Sequence, residues 1–286
     1  MKRTCISTFL LLSTLTMSGN CYSKNDLPAF KDIYLGQKPP GLTPEPFAPD
    51  MLDKGFRSAA VSFSPDLKEL YFRRRGGEYK KNTLCVIKYK NNQWIESVVP
   101  PRAGQPFVSV DGNTLHLGNM YRERVSSGWG EVKSLGVLFK DLPIMRLTSS
   151  ATGTHYFDEA TEVGNIRYSK VTNGKRSAPK SVSKAINAGK WTAHPFIAPD
   201  ESYIIWDSER KEGQGDSDLY VSFRQQNGAW GPAINLGNKV NTQHQEQYGS
   251  ITPDGKYFFF NRSYGGDNAD IYWVDAGLIK ALKPKF

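Results

Sequence analysis

Short runs of β-branched and aromatic residues, four to six long and bounded by Pro, Asp, Gly and Asn, recur along nearly the whole chain. This is strand-and-turn chemistry. The clearest stretch runs from His194 to Asp275. It reads HPFIAPDESYIIWDSER, then GDSDLYVSFRQQNGAWGPAINLGNKVN, and starts again as QYGSITPDGKYFFFNRS and NADIYWVDA. Each pass has an apolar run ending in a turn, a second apolar-aromatic run, a polar loop, and a third run opened by Asp-Leu-Tyr or Asp-Ile-Tyr. Aligned on the turn, the chain holds five copies, at Pro65-Asp66, Val110-Asp111-Gly112, Ala151-Thr152-Gly153, Pro199-Asp200 and Pro253-Asp254-Gly255. A unit of about 40–50 residues with about four short strands is a propeller blade.

The elements follow from the pattern. First strands precede each turn (Val61–Phe63, Phe107–Val108, Leu147–Ser149, Phe196–Ile197, Gly249–Ile251) and second strands follow it (Leu70–Phe72, Leu115–Leu117, Tyr156–Phe157, Ile204–Trp206, Phe258–Phe260). Third strands open at Thr83, Asn165, Asp218 and Asp270; in the second copy Tyr121–Ser126 is short and charged and matches poorly. Fourth strands follow a Gly/Trp/Pro signal, clearest at Ala229–Leu236 and echoed around Trp94 and Trp129. The last copy has none after Val274. Leu42–Pro49 matches the missing segment, so the N-terminal part of the chain is expected to supply the outer strand of the last blade and close the ring. Closure removes the exposed edges that invite aggregation. The expected fold is all-β, a propeller of five four-stranded blades closed by an N-terminal strand, with six blades as the alternative. Residues Ala276–Leu282 read as a short helical tail stopped by Pro284.

Lys2 and Arg3 before the apolar run Ile6–Met17, followed by small polar residues, have the form of a secretory signal peptide. The run is short for a bilayer span. Cleavage after Ser23 leaves 24–286 as a single propeller domain, periplasmic or secreted. A lipoprotein reading, with Cys21 lipidated, fits less well because Asn20 stands where a small residue is wanted. Cys85 is the sole cysteine beyond the leader, so no internal disulfide is expected, and its place in Leu84-Cys85-Val86-Ile87 makes it a packing residue. The 37 Lys and Arg against 28 Asp and Glu give +9, and removal of Lys2 and Arg3 with the leader leaves seven positive charges in excess. That balance favours an anionic glycan or a protein partner, while export argues against nucleic acid. A monomer is expected.

The SPD and TPDGK turns, the Asp-Leu-Tyr-Val-Ser strand, the Trp-Gly-Pro-Ala-Ile-Asn-Leu-Gly segment and the ending DIYWVDAGLIKALKP resemble the WD40-like β-propeller repeat family, the TolB-like repeats of exported bacterial proteins. The resemblance covers about 34–284 and is densest over 194–275. It implies the fold and an exported setting. It carries no shared reaction and no catalytic residues.

Register points to one candidate site. Six residues before each turn Asp, or its equivalent, stand Ala60, Gln105, Arg146, His194 and Tyr248, one per innermost strand at the mouth of the central channel. Just past the second strands stand Arg73, Gly118, Asp158, Asp207 and Asn261, with Arg262 behind them. Ligand contacts are expected from Gln105, Arg146, His194, Tyr248, Arg73, Asp158, Asp207 and Arg262. If the site is catalytic, His194, Tyr248 and Arg146 are the candidates. Asp158 and Asp207 would be the carboxylate pair of a glycosidase. The turn residues Asp66, Asp111, Asp200 and Asp254 recur too regularly for a site and are expected to accept backbone amides. Glycines 213, 215, 265 and 266 read as hairpin positions with positive φ, and no metal or cofactor is expected. The chain contains no Gly-x-Ser-x-Gly, His-Glu-x-x-His, P-loop or dinucleotide motif. The leading reading is therefore a binding or scaffold module for a carbohydrate, peptide or protein, held on one face of the ring. The alternative is a polysaccharide-acting enzyme, a uronate-glycan lyase or a glycoside hydrolase, at the channel mouth.

Overall fold

The computed structural model describes residues 33–52, 55–100 and 104–285. The expected leader and its cleavage point lie outside them. Five antiparallel sheets form five blades. Their innermost strands are Arg57–Phe63, Pro106–Val108, Ile144–Ser149, Trp191–Ile197 and Gln245–Ile251. Each packs against the innermost strand of the next blade, and the fifth packs back on the first. The five-blade reading holds and the six-blade alternative falls.

Closure is as the pattern predicts. Glu45–Pro46 is the outer strand of the fifth blade, pairing with Tyr272 and Trp273 of Asn268–Asp275. The amide of Phe47 continues the ladder to the Ile271 carbonyl at 2.8 Å. Phe47 is fully buried against Phe259 and Trp273, and Tyr34, Leu35, Met51 and Leu52 join the same core. The closing strand is thus stapled by a hydrophobic cluster that includes first-blade residues such as Phe63 and Phe72. The tail forms one short helix, Gly277–Ala281, whose Ile279 packs under the fourth and fifth blades. Among the described residues no helix is long and apolar enough to cross a membrane.

Some expected boundaries move. The third strand of blade 1 opens at Tyr79 rather than Thr83, that of blade 3 at Ile166, and that of blade 5 at Asn268. The poorly matching second copy has a full third strand, Met120–Val125. Its charges survive because Arg122 donates to the Gly130 and Pro100 carbonyls and Arg124 lies 3.9 Å over the Trp129 ring. Gly265 and Gly266 take positive φ, but Gly213 and Gly215 do not. Gly215 is needed for a different reason: a Cβ there would lie 2.0 Å from the His244 carbonyl oxygen.

The recurring turn Asp is structural. Asp66, Asp111, Asp200 and Asp254 each accept the amide two residues on, and Asp66, Asp111 and Asp254 also take a Ser or Thr hydroxyl from two residues back. Blade 3 has no Asp in Ala151-Thr152-Gly153. Glu201 reaches across from blade 4 instead, accepting from Ser150 and Thr152 at 2.9 Å each and from Tyr156 at 3.1 Å. Arg224, stacked on Trp230, closes the network on Glu201 at 2.9 Å.

Candidate functional site

The first strands do not run straight. In blades 1, 3, 4 and 5 the register with the second strand slips, between Ala59 and Ser62, Ile144 and Leu147, Ala193 and Phe196, and Gln247 and Ser250. Each slip brackets the position that the repeat assigns to the ring. A bulge re-aims a side chain and interrupts pairing. Ala60, His194 and Tyr248 occupy these bulges at positive φ (58°, 51° and 60°). Such conformations persist in non-Gly residues only where the surroundings hold them.

The hold comes from the residues just past the second strands. Asp158 accepts the amides of Arg146 and His194, each at 2.8 Å. Asp207 accepts the Tyr248 amide at 3.1 Å, and Asn261 accepts the Ala60 amide at 3.1 Å. A side chain of one blade therefore pins the bulge of the next. Asp158 and Asp207 are both fully buried, with their oxygens turned to these amides and to His194. Burial pushes the Asp158 carboxyl up, partly offset by His194 and by the two amides.

Three of the predicted residues meet. The His194 Nδ1–H donates to Asp207 at 2.9 Å, and the His194 and Tyr248 rings lie 4.1 Å apart at 40°. Arg146 is close enough to feel Asp158, Asp207 and Tyr248 electrostatically. It is fully buried, and its Nε, Nη1 and Nη2 donate to no atom among the described residues. Burial lowers its pKa to about 10, with Asp158, Asp207 and Tyr248 opposing, so it stays cationic at neutral pH. His194 Nε2 and the Tyr248 hydroxyl also make no hydrogen bond among the described residues. Burial raises the Tyr248 phenol, against the pull of Arg73 and Arg57. Gln105 completes this side, buried and with its Oε1 unpaired.

Other expected members stand apart or differ. Arg73 is half-buried beside Tyr248, with its Nε unpaired. Arg262 is committed elsewhere: it pairs with the buried Glu246 at 2.7 Å, donates to the Val240 carbonyl and lies over the Tyr272 ring. Arg57 was not singled out by the ring register. It opens the first innermost strand and adds a second half-buried guanidinium near Tyr248. The site thus has two cations at its edge, one buried cation without an acceptor among the described residues, and two carboxylates already engaged by amides and imidazole.

The opposite end of the axis is apolar. A cavity of about 200 Å³ lies between the ends of the first strands, walled by Val61, Phe63, Phe107, Phe196 and Phe259 and rimmed by Pro65, Pro199 and Pro253. Ser62, Phe107, Phe196 and Ser250, each two residues beyond the ring position of its strand, line this wall in four of the five blades.

No protein-family model matches the chain, and no curated protein matches it in sequence. Its likeness is to solved propeller structures. The catalytic domain of the GH62 α-L-arabinofuranosidase of Coprinopsis cinerea aligns with 82% of this chain and 94% of its own, at TM-score 0.52 and 8% identity. TolB from Acinetobacter baumannii aligns at TM-score 0.46 and 12% identity, covering 76% of this chain, which spans 54% of TolB. A thermostable family-43 glycoside hydrolase aligns at TM-score 0.47 and 12% identity over 76% of this chain and 88% of its own. At these identities the likeness is one of fold alone, a β-propeller.

Proposed function

We propose that this protein is an exported binding module that takes an anionic glycan at the axial site, with a carboxylate of the ligand reaching Arg146. One observation carries the reading: a wholly buried guanidinium, charged at neutral pH, whose three nitrogens have no acceptor among the described residues. A buried cation left so costs several kcal/mol, and charge-assisted bonds to a carboxylate offset it. Arg57 and Arg73 at the edge make the approach electropositive, in keeping with the basic balance of the chain. The test is calorimetric titration of the mature chain with tri-galacturonate and with a neutral trisaccharide. The charged ligand should bind and the neutral one should not. Arg146→Met, which keeps the packing volume, should weaken binding roughly tenfold or more, since a hydrogen bond to a charged group contributes about 1.5–3 kcal/mol. Equal affinity in wild type and Arg146→Met, with both folded by circular dichroism, would sink the proposal.

A second reading, a uronate-glycan lyase, has its own observation. His194 is oriented by Asp207 through Nδ1, leaving Nε2 and the neighbouring Tyr248 hydroxyl without a hydrogen bond among the described residues. An elimination needs a cation on the uronate carboxylate, a base for the C5 proton and an acid at the leaving oxygen. Arg146, His194 and Tyr248 have those chemistries. Turnover of a uronate polymer would produce an unsaturated end absorbing in the ultraviolet. Absence of that absorbance alongside tight binding would leave the module reading alone.

A further inference from the structure

The apolar end of the axis continues into a second, differently charged concavity. The cavity between the first-strand ends and a groove of about 440 Å³ beside it share Pro199, Tyr203, Ile251 and Gly255 as a common wall. Nothing in the inner part is charged: its walls are Val, Phe, Ile and Pro side chains with a few Ser and Thr hydroxyls. The groove ends at the C-terminal helix, where Lys280 and Lys283 are exposed and stand three residues apart, within one turn. Neither lysine forms an ion pair among the described residues. The carboxylate in the groove, Asp200, is already engaged by the Ser202 amide at 3.0 Å and by the Ser202 hydroxyl. Burial pushes its carboxyl up, but those bonds and the field of Lys283 outweigh it and hold it below the usual range.

We infer that this concavity binds a small anionic amphiphile, a medium-chain carboxylate whose chain fills the axial cavity and whose head lies between Lys280 and Lys283. Each half of the concavity selects against the alternatives. A purely polar anion leaves the phenylalanine and valine walls in contact with water and forgoes the gain from covering apolar area. An uncharged chain gives the two ammonium groups no counter-charge beyond the field of Asp200 on Lys283. A cationic head is repelled by both. The concavity opens on the turn face, between the exposed Pro65, Pro199 and Pro253, so it is separate from the Arg146 site and shares no residue with it.

The test is calorimetric titration of the mature chain with octanoate, octanol and octylamine. Octanoate should bind saturably at one per chain, octanol several-fold more weakly, and octylamine not at all. Lys280→Gln with Lys283→Gln, both on the surface and harmless to the fold, should weaken octanoate roughly five- to tenfold and leave octanol unchanged, as expected for two exposed charge pairs. Ser250→Phe, which fills the cavity floor, should remove both ligands. The inference is overturned if octanoate and octanol bind wild type equally, if the double lysine variant keeps full octanoate affinity, or if octanoate does not saturate.

Discussion

His116 and His155 show what burial does to a single residue in this protein. Both sit in second strands, and their rings meet edge to face at 5.1 Å. Burial lowers the pKa of His116 from 6.5 to about 4, with Arg176 adding to it. His155 goes further, to about 2, through burial, His116 and Arg176 in that order. Both Nδ1 atoms are buried without a hydrogen bond. The native state therefore resists protons that the unfolded chain accepts. The stabilisation is complete above about pH 6.5 and is lost as pH falls towards 4, where His116 alone accounts for roughly 3 kcal/mol. Urea unfolding at pH 7 and at pH 4.5 should show this loss, and His116→Phe should lessen it. An unchanged pH dependence in that variant would place the acid sensitivity elsewhere. At this scale the sequence was informative where register was strict. The count back from each turn brought Arg146, His194 and Tyr248 to one place, even past the degenerate Ala151-Thr152-Gly153 turn. It could not show that Arg262 is held by Glu246, because that partner lies sixteen residues away across a bulged strand pair. Nor could it show burial, since the same strand-start position is a channel mouth or a sealed core depending on how far the bulges turn inward.

At the scale of elements, the repeat is read most easily where each strand carries its own chemistry, and least where it borrows from a neighbour. The second blade's third strand looks too charged to be a strand, yet Arg122 and Arg124 are satisfied by carbonyls, by Glu69 and by Trp129 of adjoining segments. Blade 3 borrows in the same way, since Glu201 of blade 4 replaces its missing turn Asp. Glu201 itself is held below the usual carboxylate range: burial raises it, but the hydroxyls of Thr154, Ser150, Thr152 and Tyr156 outweigh that. Glu201→Ala removes the acceptor of blade 3's turn and the carboxylate partner of Arg224, which keeps its bonds to the Glu201 and Gly228 carbonyls and to Tyr156. It should cost about 2–3 kcal/mol, against about 1 for Asp200→Ala, whose bonds serve one turn only. Denaturant midpoints of the two variants check this. Equal losses would mean that blade 3's turn does not depend on its neighbour.

For the whole molecule, two features decide behaviour: the ring is closed by a strand from the other end of the chain, and its axis is polar at one end and apolar at the other. The first was legible because Leu42–Pro49 repeats the segment that the last blade lacks. Deleting residues 24–50 would open the edge of Asn268–Asp275 and strip Phe47 from the core. The expected product is insoluble or aggregated by size-exclusion chromatography; a soluble, folded monomer would contradict the closure account. The second feature was half legible. The polar ring follows from counting residues, but the cavity at the other end arises from side chains of four blades meeting, which no single repeat displays.

On the proposed function, Arg146, unpartnered among the described residues, takes an anionic group of the ligand. A crystal structure of residues 24–286 soaked with tri-galacturonate tests this at the atom concerned. A carboxylate oxygen should lie within about 3.2 Å of the Arg146 guanidinium, approached past Arg57 and Arg73. A ligand seated on the outer loops or in the apolar cavity, with Arg146 still unpaired, would contradict it.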